Sequence, residues 1–304
     1  LDSPGNKRLN VSAGIASVVV ALILVAAKGW AWVETGALSV AASLVDSALD
    51  LVVSMANFAA ILYAAKPADE DHRFGHHSIE DIAALAQALM VAAAGVALGW
   101  RGIERLLTPK PLAAESAGIA VMVLTILLTA ALVCWQRRVA RQTGSKVVAA
   151  DSLHYLADMM PAAGAIVALA ASKLFGVGQL DSAISLVAAV ILLRGARKIG
   201  GEAFAALMDR EAPAAVEHRI SAVVAEFPEI HGFHDLKTRV SGPRTFVQIH
   251  IELDGGQTLF EAHEIGARLR RAIIAAIPGS EVIVHKDPVR AGRRGQMTKS
   301  NPAA

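Results

Sequence analysis

Two pairs of ionisable residues stand inside apolar stretches, each at the spacing of one helical turn. Asp46 and Asp50 are four residues apart in one stretch, and His154 and Asp158 four apart in another. Residues at i and i+4 project from one face of a helix, so each pair points one way. Two such pairs meeting across a bundle supply three carboxylates and an imidazole, a donor set suited to tetrahedral Zn²⁺ and tolerant of other divalent first-row ions or Cd²⁺. The alternative is a structural polar network, in which three acids without a cation have to take up protons to coexist. Metal and protons compete for the same lone pairs, so a site of this kind exchanges one for the other. His154, whose residue type titrates nearest neutrality, is the candidate proton-coupling group.

Two further clusters lie outside the apolar stretches. Asp69, His72 and His76 fall within one short polar link and could hold an ion with water in the fourth position, or could be part of a solvated acidic loop. His77, one residue on, is expected to be exposed. Toward the C-terminus, His234, His250, His263, His285 and Asp287 could converge on a second, possibly two-metal, site, whereas His218 and His231 read as scattered surface histidines. His285 and Asp287 are two apart on a predicted strand and share one side of it. The single cysteine, Cys134, excludes a disulfide framework and a thiolate zinc site, so nitrogen and oxygen must hold any metal.

The elements that must position these residues are membrane helices. The 304-residue chain is 54% apolar and 18% charged, with mean hydropathy +0.48, which excludes an ordinary water-soluble enzyme. Charge-free runs at Leu9–Ala27, Ile82–Trp100 and Ser116–Gln136 match the ~18 to 20 residues that cross a hydrocarbon core. Three more stretches, about Leu38–Ala65, Val147–Ser172 and Leu180–Leu207, bring the predicted spans to six. The second of these also carries Asp151. Each mid-span carboxylate costs roughly 2.5 to 3.5 kcal/mol, so these helices must turn their acids inward. The first span reads as a retained helix, not a cleaved signal. Lys7, Arg8, Lys66, Arg73, Arg137, Arg138, Arg141 and Lys146 flank one face, against Arg101, Arg105, Lys110 and Lys173 on the other, which predicts cytoplasmic termini. Trp30, Trp32, Trp100 and Trp135 fall near span ends, as interfacial anchors do.

Beyond Met208 the pattern changes to an α+β domain of order αββαβ. Pro213 opens a helix running through Phe227. In the segment Thr245–Leu253, Val247, Ile249, Ile251 and Leu253 share one face and Gln248, His250 and Glu252 the other. Ser241-Gly-Pro-Arg244 supplies a hairpin turn, Ala262, Ile265, Leu269 and Ile273 the inner stripe of a second helix, and Glu281–His285 a closing strand. The predicted organisation is an N-terminal cytoplasmic segment (1–10), a six-helix transmembrane domain (11–208), a cytoplasmic metal-binding domain (209–289) and a disordered basic tail (290–304). A net charge of +2 and 5% aromatic residues exclude a nucleic-acid binder. No phosphate-loop motif is present to suggest ATP drive, and no HExxH motif to suggest a metallohydrolase. A proton-driven transporter and a membrane metal sensor or storage protein remain, and metal flux separates them.

Six strings together resemble one family, the cation diffusion facilitators, and within it the YiiP-type bacterial zinc and ferrous-iron efflux branch. They are Ser43-Leu-Val-Asp46-Ser-Ala-Leu-Asp50, Pro67-Ala-Asp69-Glu-Asp-His72-Arg-Phe-Gly-His76, Asp151-Ser-Leu-His154-Tyr-Leu-Ala-Asp158, Leu207-Met-Asp-Arg210, His234-Asp-Leu-Lys-Thr-Arg239 and Val284-His285-Lys-Asp287-Pro288. The resemblance spans about residues 7 to 289. It implies a homodimer in the bacterial inner membrane, six spans per subunit, a metallochaperone-like cytoplasmic domain, and alternating-access exchange of a divalent metal for protons. It further implies that Asp46, Asp50, His154 and Asp158 form the transport site and Asp69, His72 and His76 a loop site. His234, His250, His263, His285 and Asp287 would form a cytoplasmic site whose zinc supports subunit pairing. An aspartate at the position of His154 accompanies manganese transport in the family, so the histidine favours zinc, cadmium or iron. Close relatives carry a lysine at the position of Ser78, paired with an aspartate at the position of Asp209, and a glycine at the position of His77; this chain departs at Ser78 and His77.

Overall fold

Apolar residues without a strand period fill the first two thirds of the chain, and there the regular elements among the described residues of the computed structural model are all helices. It describes residues 4–35, 38–107, 116–175 and 180–289. Six long helices come first: α1 (Pro4–Thr35), α2 (Leu38–Ala64), α3 (Ser78–Leu107), α4 (Ser116–Thr143), α5 (Lys146–Phe175) and α6 (Leu180–Leu207). Among the described residues four of them, α1 to α4, contain windows long and apolar enough to cross a membrane. α1 begins at Pro4, ahead of the apolar run expected from Leu9, because Asn6, Lys7 and Arg8 add a polar turn suited to the headgroup layer. The tail 290–304 lies outside the described residues.

Close helix contacts depend on missing side chains. A Cβ on Gly14 of α1 would stand 2.6 Å from the Phe58 ring of α2, and one on Gly195 of α6 would stand 2.8 Å from Leu153 of α5. At the start of α5, Lys146 Nζ lies 2.6 Å from Asp81 Oδ1 and Ser145 Oγ donates to Glu80 Oε2 at 3.0 Å, tying the first turns of α3 and α5 together.

The centre of the helical unit is polar. Asp151 of α5 is 4% exposed, and its carboxylate accepts hydrogen bonds from four helices. Ser17 Oγ of α1 donates to Oδ2 at 2.7 Å, Asn57 Nδ2 of α2 to Oδ1 at 2.9 Å, and Gln87 Nε2 of α3 to Oδ1 at 3.1 Å. Gln136 Nε2 of α4 donates to Oδ2. Both glutamines leave their own buried carbonyl oxygens unbonded, so the carboxylate takes precedence. One turn along, the buried Tyr155 hydroxyl pairs with Ser54 Oγ at 2.7 Å and donates to the Ser17 carbonyl at 3.2 Å.

A second compact unit begins near Ala205. It comprises α7 (Ala214–Ala225), β1 (Gly232–Ser241), β2 (Arg244–Asp254), α8 (Leu259–Ala276) and β3 (Ser280–Val289). The sheet order is β1-β2-β3, with β1 antiparallel and β2 parallel to its neighbour β3. Val247, Ile249, Ile251 and Leu253, at most 2% exposed, meet Ile265, Leu269 and Ile273 of α8 in one core. A Thr258–Glu261 capping box starts α8. Phe233 and Leu236, three apart, both pack on that core, which a regular strand forbids. A bulge between His234 and Lys237, with Asp235 at φ 48°, supplies the extra residue and leaves His234 on the face away from the helices.

Replacing Asp151 with alanine leaves four buried donors without their acceptor. The expected cost is about 3 kcal/mol or more, read as a lower thermal midpoint of the detergent-solubilised chain; an unchanged midpoint would deny the carboxylate this role.

Candidate metal centres

Among the described residues three groups of nitrogen and oxygen donors place their ligand atoms within 4.8 Å of one another: Asp50, His154 and Asp158; Asp69, His72 and His76; and His234, His250 and Asp287. The first lies in the helical unit. His154 Nε2 faces Asp50 Oδ1 at 3.4 Å and Asp158 Oδ2 at 3.7 Å. It is buried and makes no hydrogen bond to either. Ligand atoms about 2.0 to 2.1 Å from a tetrahedral zinc ion lie about 3.3 Å apart, so this spacing suits a shared ion better than a direct pair. Asp50 comes from α2, and His154 and Asp158 from one face of α5. Asp46, one turn from Asp50 on the same stripe, is exposed and stays outside the cluster.

The second cluster lies in the link between α2 and α3. His76 Nε2 is 3.3 Å from Asp69 Oδ2, and His72 Nδ1 is 3.4 Å from Asp69 Oδ1. The His76 side chain is fully buried against Tyr63 and His72, with ring centroids 4.6 and 4.5 Å away, yet neither of its nitrogens is hydrogen-bonded. Lys66 Nζ occupies Asp69 Oδ2 at 2.7 Å and the His72 backbone N–H donates to Oδ1 at 2.8 Å. The lysine, then the backbone donor, holds the Asp69 carboxyl well below the usual carboxylate range. His77 is buried, contrary to the exposed position expected from sequence. Gly75 at φ +84° turns the chain so that the His77 ring folds back within 3.3 Å of where a Gly75 Cβ would be.

The third cluster runs across the sheet of the second unit. His234 pairs in register with His250, and His250 with His285, so three imidazoles form one row. Ring centroids are 5.2 Å apart for His234 and His250, and 4.5 Å for His250 and His285. Asp287 sits at the middle of the row: Oδ2 is 3.3 Å from His234 Nε2 and 3.0 Å from His250 Nδ1, and Oδ1 is 3.2 Å from His285 Nε2. His263, on α8, is exposed and is not brought into the group of His234, His250 and Asp287. Asp209, expected to face a lysine in close relatives, has Arg239 Nη1 at 3.1 Å within its own unit.

The description "Cation efflux transmembrane domain" matches residues 14–208, and "Cation efflux protein, cytoplasmic domain" matches 212–289. The chain belongs to the cation diffusion facilitator family. It is thus a multi-pass membrane transporter of cations, not an enzyme. The cation-efflux pump FieF of Cronobacter sakazakii is 41% identical over 281 residues, covering 92% of this chain and 93% of that protein. FieF of Citrobacter koseri is 38% identical over 295 residues, covering 96% and 98%. The metal-bound C-terminal domain of the CzcD transporter from Thermotoga maritima is 29% identical, covers 25% of this chain and 88% of that one, and has a TM-score of 0.24.

A metal ion held by this cluster would compete with Lys66 for the same Asp69 oxygen. Lys66→Gln is expected to tighten Zn²⁺ binding at the loop by about two- to fivefold, the scale of an exposed ion pair, as read by chelator competition. Because Asp69 ionises below the usual range, its contribution is present above ordinary carboxylate pKa values and lost only as pH falls through the depressed one. Weaker binding in Lys66→Gln would show that the lysine supports the ligand geometry.

Proposed function

We propose that the chain exports a divalent metal ion, Zn²⁺ first with Cd²⁺ and Fe²⁺ as further cargo, across the bacterial inner membrane in exchange for protons. The observation that carries this reading is the buried His154 Nε2, unbonded and facing two carboxylates at ion-sharing distance. Asp50, His154 and Asp158 take the cargo, and Asp46 from the next turn of α2 closes the shell as fourth ligand. Departure of the metal leaves carboxylates and an imidazole that favour protons, and proton loading in turn expels metal, so a proton gradient drives efflux. Nitrogen and oxygen donors narrow the cargo to these ions.

The remaining parts serve this exchange. Both termini lie in the cytoplasm, on the face carrying Lys7, Arg8, Lys66, Arg73 and the α4 arginines. Asp69, His72 and His76 form a loop site on that face. His234, His250 and Asp287 fit resident zinc by donor type and spacing, with His285, beside the other Asp287 oxygen, and His263 drawn in when a second ion binds. Zinc there would brace three strands and support pairing of two subunits, which alternate between inward and outward access. The organisation along the chain follows: an N-terminal segment (1–10), the transport domain (11–208), the metal-binding domain (209–289) and the tail (290–304).

Proteoliposomes with an imposed pH gradient test this reading. The parent chain is expected to accumulate Zn²⁺ in proportion to the gradient, and Asp158→Ala to abolish that component. Equal, gradient-independent signals from both would leave a sensor or storage protein instead.

A further inference from the structure

Lys28 of α1 is half-buried, and its ammonium donates to Ser47 Oγ at 2.7 Å and to the Ser43 carbonyl at 3.3 Å, both on α2. Ser43, Asp46, Ser47 and Asp50 follow at i, i+3, i+4 and i+7, which makes them one stripe of that helix. The ammonium is therefore docked on neutral oxygens within the carboxylate stripe. The acids whose field reaches it are Asp50, Asp46 and Asp158, all three assigned above to the transport site.

Charge balance gives this position a purpose. Three carboxylates and a neutral imidazole around a dication leave one surplus negative charge. An uncompensated charge is costly to enclose within a bundle in lipid. The Lys28 ammonium cancels that surplus, so the loaded site is neutral when it must be enclosed. The same ammonium repels an arriving dication and lowers its affinity, which a transporter needs for release. Its hydrogen bonds to Ser47 and the Ser43 carbonyl hold it back from the carboxylates, leaving their lone pairs to the metal.

We propose that Lys28 is a positioning residue of the transport site, a resident cation that neutralises the loaded site and sets metal affinity low enough for turnover. This rests on the transport-site assignment of Asp50, His154 and Asp158. The effect is one of charge, so arginine should replace lysine and a neutral side chain should not.

The full chain in lipid, with the other two clusters disabled by His76→Ala and Asp287→Ala, provides the test, with Zn²⁺ itself as probe. Lys28→Gln is expected to bind Zn²⁺ about tenfold tighter, the scale of one charge acting across a helical turn, with kcat and KM for flux both reduced. Lys28→Arg should match the parent in both measures, and Ser47→Ala should keep the parent's affinity within about threefold, since the charge remains. Should Lys28→Gln fail to assemble, Lys28→Met carries the same expectation. Unchanged or weaker binding in the neutral variants, or an arginine variant that behaves like them, overturns the proposal. Asp158→Ala in the Lys28 background separates the two levels: retained Zn²⁺ binding there would contradict the site assignment itself.

Discussion

A buried carboxylate held by neutral donors from four helices organises the membrane half of this protein. Asp151 cannot be left unpaired in a low-dielectric interior. Ser17, Asn57, Gln87 and Gln136 each come from a different helix to meet that demand. Helix packing in lipid gains little from the hydrophobic effect, since lipid tails are as apolar as leucine, so directional bonds and small residues fix the arrangement. Asp151 precedes His154 by three residues on α5. The restraint that sets the rotation of α5 at Asp151 therefore also sets the direction of the His154 imidazole toward Asp50 of α2.

Charge accounting links the hub to the two metal clusters of the helical unit. Asp151 is satisfied by hydrogen bonds, so it need not be neutralised by a cation and does not compete for cargo. In both clusters an ammonium stands close by: Lys66 directly on Asp69, and Lys28 on the serine stripe between Asp46 and Asp50. Lys66 bonds directly to a candidate ligand oxygen, whereas Lys28 is bonded to a neutral hydroxyl of the stripe. Each sets one positive charge beside a carboxylate cluster.

Much of this was legible in the sequence because it is written in short-range periodicity. The i, i+4 pairs Asp46/Asp50 and His154/Asp158, the alternation through Val247 to Leu253 and the αββαβ order all depend on neighbours a few residues apart. The Asp151 hub was not legible: its donors lie 134, 94, 64 and 15 residues away, and serine, asparagine and glutamine carry no period that marks them. Lys28 read only as the end of a charge-free run, since nothing local shows that it reaches α2. His77 was misjudged because its burial depends on the positive φ of Gly75, a backbone state that a neighbouring histidine does not reveal. The bulge at Asp235, which turns His234 into the imidazole row, shows in sequence only as the odd spacing of Phe233 and Leu236.

The central claim is that one imidazole and aspartate oxygens from α2 and α5 enclose the cargo ion. X-ray absorption at the zinc edge tests it most directly, on the full chain with its loop and cytoplasmic clusters disabled and one Zn²⁺ bound. The expected spectrum shows a four-coordinate ion with a single imidazole and otherwise oxygen at about 2.0 to 2.2 Å. A hydrated six-coordinate ion, or a shell with two or more imidazoles, would place the cargo elsewhere and contradict the claim.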